Sequence, residues 1–133
     1  MTRFAGVLLK PLDQQHDRDD YLIDPAGVTF DPNEEIPIWG DFNYRVPEDM
    51  LGRGFVSRRD DGSLWVEGEI DLPESTLRKQ DLPWRLAIGV ITERDVKRRT
   101  GDTVERCRLF SVAFTANHQD PGQPVIEIKE GTQ

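Results

Sequence analysis

Gly54-Phe55-Val56-Ser57-Arg58-Arg59-Asp60-Asp61-Gly62-Ser63-Leu64-Trp65-Val66-Glu67-Gly68-Glu69-Ile70-Asp71-Leu72 carries the clearest backbone signal in the chain. From position 64 onward, Leu64, Val66, Ile70 and Leu72 share one parity, and Trp65, Glu67, Glu69 and Asp71 take the other. A period of two with one apolar and one wet face is the pattern of an antiparallel strand that buries one side. Residues 54–59 read as the strand before it. Asp60-Asp61-Gly62-Ser63 joins the two as a hairpin turn, with glycine where a positive φ is wanted.

Towards the N-terminus, residues 4–9 read as a strand ended by Lys10-Pro11. An acidic stretch, 13–20, and the triplet Tyr21-Leu22-Ile23 follow. Residues 24–37 hold three prolines and several turn formers, which predicts loops with little regular structure. Residues 36–42 form a short strand, with Trp39 and Phe42 as core contributors. Towards the C-terminus, Pro73 and Glu74 suit the first turn of a short helix over 73–80. Residues 84–92 read as a strand apolar on both faces around Gly89. Arg98-Arg99-Thr100-Gly101-Asp102 is a second hairpin turn, 104–115 is the longest strand, and 125–128 is the last. The sum is a mainly β chain of about seven mostly antiparallel strands and one or two short helices, a barrel or a sandwich. A length of 133 residues fits one domain over 1–133.

Composition narrows the function classes. Apolar residues make up 36% and charged residues 32%, polar but foldable. The net charge of −8 disfavours a nucleic-acid binder, because affinity for phosphates needs a positive field. Of the basic residues 13 are Arg and 4 are Lys, a bias that suits planar contacts at protein interfaces and equally a GC-rich coding sequence. Cys107 is the sole cysteine, so no internal disulfide forms, and its apolar flank marks a half-buried structural thiol. The apolar run at 4–9 is too short for a signal-peptide core or a membrane span, so no membrane association is expected.

No residue pattern speaks for catalysis or a cofactor. His16 lies in Asp13-Gln14-Gln15-His16-Asp17-Arg18-Asp19-Asp20, whose spacing fits no zinc site and lacks the glycine and terminal glutamate of a calcium hand. It reads as a solvated acidic loop, and His118 as a turn residue. Ser57, Ser63, Ser75 and Ser111 sit in no nucleophile elbow. One charge feature does stand out. Arg94, Lys97, Arg98 and Arg99 fall on one arm and the tip of the second hairpin, with Arg106 and Arg108 on its return. A basic finger on an acidic body favours docking to an acidic protein surface. The alternative is a solvated hairpin whose charges guard its edge against aggregation.

Several segments, taken in order, resemble the prohead (capsid maturation) proteases of tailed phages, which share a fold with the herpesvirus assemblins. Asp17-Arg18-Asp19-Asp20-Tyr21-Leu22-Ile23-Asp24-Pro25-Ala26 resembles the early Asp…Gly-Asp-x-Ile-x-Pro segment of that family, and Pro37-Ile38-Trp39-Gly40-Asp41-Phe42-Asn43 the strand leading to its histidine. Leu51-Gly52-Arg53-Gly54-Phe55-Val56 with Asp61-Gly62-Ser63-Leu64-Trp65-Val66-Glu67-Gly68 resembles its Gly-x-Val hairpin. Leu86-Ala87-Ile88-Gly89-Val90 is similar to its Leu-Ser-Ile-Gly-Phe nucleophile strand. Leu109-Phe110-Ser111-Val112-Ala113 with Ala116-Asn117 is similar to its Glu-Val-Ser-Leu-Val…Pro-Ala-Asn strand.

The departures from the family fall on its chemistry. Ala87 stands where the family has its serine, Asn43 or Tyr44 where it has its histidine, and Leu109 at the position of an acidic residue. None of these can attack a carbonyl or take a proton near neutral pH. The resemblance therefore implies a pseudo-protease, a non-enzymatic phage structural protein. The role it implies is a minor capsid or decoration protein that binds the major capsid protein lattice. Such a protein is expected in the virion head, soluble in the host cytoplasm before assembly, and symmetric as a dimer or trimer. Three other readings stand beside this one. They are an active maturation protease with a displaced nucleophile (Ser111 with His118), a tail, connector or host-directed protein-binding module, and a nucleic-acid binder using the basic hairpin.

Overall fold

The computed structural model describes residues 2–15, 21–40, 50–72, 75, 84–99, 101–115 and 122–129, with the backbone alone at 21, 94–99, 101 and 102. These residues form eleven strands in chain order. They are β1 (Thr2–Leu9), β2 (Tyr21–Ile23), β3 (Val28–Thr29), β4 (Ile36–Gly40), β5 (Met50–Arg58) and β6 (Leu64–Ile70). After them come β7 (Arg85–Ile88), β8 (Ile91–Arg99), β9 (Gly101–Leu109), β10 (Val112–Thr115) and β11 (Glu127–Ile128). Two short 3-10 turns span Leu12–Gln14 and Pro25–Gly27, and of the helix expected over 73–80 only Ser75 is described, where the chain is helical.

The central hairpin forms as its alternation predicts. Leu64, Val66 and Ile70 are fully buried, while Glu67 and Glu69 are exposed. Gly62 takes φ +91°, which a residue with a Cβ rarely adopts. Asp61 accepts from the Ser63 hydroxyl (2.6 Å) and the Ser63 amide (2.9 Å), and the Trp65 indole N–H donates to the same hydroxyl (3.1 Å). These two bonds from Ser63, the side-chain one foremost, hold the Asp61 carboxyl below the usual carboxylate range.

The first sheet has the order β11-β1-β6-β5-β4-β10-β7, antiparallel except between β4 and β10. It curls until its two ends meet. Ile126 N–H donates to Trp84 O (3.0 Å) just before β7, while β11 pairs with β1. Gln123 bridges the seam: its side-chain amide donates to Val7 O (2.8 Å) and Leu86 O (3.2 Å), and its backbone carbonyl accepts from Arg85 Nε (2.6 Å). Inside, Phe114 stacks on Trp84 at 4.8 Å between centroids and meets Phe4 edge-on at 6.2 Å. Ile38, Val56, Leu64, Val66, Ile70 and Leu86 complete the same cluster.

The second sheet is small. β9 takes β8 antiparallel on one edge and the short β2 and β3 parallel on the other. β3 was not expected, because the prolines around it read as loop. Arg58 explains how so short a strand is held, since its guanidinium donates to Pro25 O (2.9 Å) and Val28 O (3.0 Å). Val28, Val104 and Cys107 belong to the same apolar cluster as the first sheet, with Cys107 buried rather than half-buried. Trp39 is half-buried, and Phe42 lies outside the described residues. The two longest apolar stretches both differ from expectation. Residues 84–92 and 104–115 each break, at 89–90 and 110–111, where the chain passes from one sheet to the other.

Two stability measurements follow from these contacts. Gln123→Ala strips a buried donor from the seam and leaves carbonyls unpaired, so urea unfolding should show a loss of about 1–3 kcal/mol. Asp61 has a lowered folded pKa, so its contribution is present above its unfolded value and is lost as pH falls through the folded one. The Tm difference between the native chain and Asp61→Asn should therefore persist from neutrality to about pH 4 and close below it.

Candidate functional site

The joint between the sheets positions three of the residues that the sequence singles out, Ala87, Leu109 and Ser111. The 89–90 and 110–111 breaks lie side by side. Gly89 N–H donates to Ser111 O (2.9 Å) and Phe110 N–H to Val90 O (2.9 Å). Val90 N–H donates to Ser111 Oγ (2.9 Å). A Cβ on Gly89 would stand 2.6 Å from that hydroxyl and 2.8 Å from Ser111 O, so the strands can approach this closely only at glycine. Ser111 is 3% exposed and its oxygen is engaged by backbone. That is the geometry of a structural hydroxyl that replaces a missing ladder bond.

Ala87 sits in β7, 8% exposed, directly opposite Ala113 of β10, which in turn lies beside Trp39 of β4. Two methyl groups and an indole therefore share this row, and none of them can act as a nucleophile towards a carbonyl. Leu109 is buried at the end of β9. Asn43, Tyr44, His16 and His118 lie outside the described residues. Among the described residues, no three His, Cys, Asp or Glu side chains gather to hold a metal ion, and no helix is long and apolar enough to cross a membrane.

The second hairpin takes the expected form. Backbone register sets Arg98 opposite Asp102 and Lys97 opposite Thr103, with irregularities on either side of Asp95. Glu93 has φ 53°, an uncommon left-handed value for a residue with a side chain, at the extra residue of the first irregularity. Arg94, Lys97, Arg98 and Arg99 thus lie along one strand. Alternation along a ladder divides positions 97 and 99 from position 98 between its two faces.

A groove of about 610 Å³ runs across the outer face of β1, β6 and β5. Its floor carries the cross-strand row Arg3, Glu69 and Arg53, and the next row sets Glu67 beside Phe55, which is 42% exposed. Sequence reading placed Glu67 and Glu69 on a wet face and missed their neighbours. The row depends on how β1 and β5 register against β6, which no local pattern states.

No protein-family model, curated protein or solved structure matches this chain.

Ser111→Ala should lower stability by about 1–3 kcal/mol in urea unfolding, because the Val90 amide then loses its acceptor. Ser111→Thr, which keeps the oxygen, should recover part of that loss if its added methyl is accommodated.

Proposed function

We propose that this chain is a non-catalytic structural protein of a phage head, a minor capsid or decoration protein that binds the major capsid protein lattice. The observation that carries this reading is Ala87. It stands in β7 at the place where the resemblance calls for a serine, in a row completed by Ala113 and Trp39. A fold kept without its nucleophile retains what it offers besides chemistry, a rigid β body that presents binding elements. The basic hairpin is the contact element in this proposal, and dimers or trimers suit repeated binding to a symmetric shell.

The second reading, a protease with a displaced nucleophile, would have to use Ser111. Its hydroxyl already accepts the Val90 amide and is shielded from solvent, which weighs against an attacking role. In the capsid reading, coat protein incubated with the native chain or with Ser111→Ala stays intact in both. Cleavage by the native chain alone would restore the protease.

The primary experiment is cosedimentation with shells assembled from the cognate coat protein. Saturable binding by the native chain, reduced about tenfold or more in an Arg98→Glu, Arg99→Glu double variant, is the expected result. Absence of binding by either protein would overturn the capsid role.

A further inference from the structure

β8 is nine residues long and, among the described residues, pairs on one edge only, with β9. The other sheet margins differ. β2, β3 and β11 are three, two and two residues long, and β7 is met by the Ile126 amide next to it. A long edge with no neighbour among the described residues offers a row of backbone donors and acceptors to any strand that can approach. The irregular part of β8 ends at Val96, and from there positions 96–99 run in unbroken register with 101–104. The regular part of this edge is the basic part.

Charge then decides which strand can pair there. A second copy adding its own β8 antiparallel would bring Lys97, Arg98 and Arg99 against the same residues, and like charges across a ladder repel. An acidic strand meets the opposite sign at each of these positions. The edge therefore discriminates against itself while favouring acid, which combines attraction with rejection of the commonest wrong partner. We propose that β8 receives an extended acidic segment of a partner protein by strand addition at positions 96–99. Main-chain bonds would supply the geometry and the cations at 97–99 the selectivity. This rests on the reading of the basic hairpin as the contact element, and adds to it the mode of contact and the chemistry of the segment bound.

The test uses the whole chain and a fluorescent peptide of about eight alternating glutamate and valine residues, beside a twin N-methylated at every amide so that neither edge can donate. Strand addition predicts that the peptide binds. N-methylation and the Arg98→Glu, Arg99→Glu change should each weaken it about tenfold or more. Hydrogen exchange at 94–99 should slow on binding, while that of the β5–β6 hairpin stays unchanged. Equal binding of the twin, or unchanged exchange at 94–99, would overturn strand addition and leave a contact made by charge alone. Binding of duplex DNA with no binding of the peptide would overturn it as well. Because the probe is a peptide, the two proposals separate. Peptide binding without capsid binding supports strand addition and removes the capsid role, and the reverse removes strand addition alone.

Discussion

The joint between the two sheets depends on one close approach, that of Gly89 to Ser111. Two neighbouring strands leave the curled sheet together and enter the small one together, and a ladder that bends in this way loses hydrogen bonds at the bend. Ser111 restores one through its side chain, and Gly89 removes the Cβ that would keep the strands apart. With that contact in place, β7 and β10 can face the core while β8 and β9 continue outward as a hairpin.

The same economy operates at the barrel seam. The sheet does not close strand against strand. The Gln123 side chain spans the gap, reaching carbonyls of β1 and β7. An amide nitrogen can do this because it carries two donors. The aromatic group of Phe4, Phe114 and Trp84 lies just inside, so burial of apolar area and satisfaction of polar edges coincide at one place. This is a stiff base from which to present the charged hairpin, and it fits a molecule that acts by contact.

Much of the architecture was legible locally. Alternation over 64–72 located the central hairpin and its buried face, and Gly62 its turn. The Arg98-Arg99-Thr100-Gly101-Asp102 turn signal marked the second hairpin, and only the fold sets its register. Reading failed at the long apolar stretches, where residues 84–92 and 104–115 looked like single strands. Apolar side chains on both parities are equally consistent with one buried strand and with two strands that swap sheets, so periodicity carries no signal for the bend. The two-residue β3 escaped notice because its hold comes from Arg58, thirty residues away in the chain. For the candidate site, the methyl side chain of Ala87 is plain from the residue itself, and its neighbours Ala113 and Trp39 are not. Nor is the Arg3, Glu69 and Arg53 row, since it arises from the pairing of three strands.

By itself, the sequence determined the mainly β class, the position and burial parity of the central hairpin and the sign of the second hairpin. Each of these rests on side-chain identity or on a period of two, both of which are properties of a few adjacent residues. Only the tertiary structure decided that the sheet closes through Gln123, that Ser111 serves the backbone, and that β8, among the described residues, pairs on one edge only. Those outcomes depend on which distant groups satisfy one another's hydrogen bonds, and that matching exists only once the chain has folded back on itself.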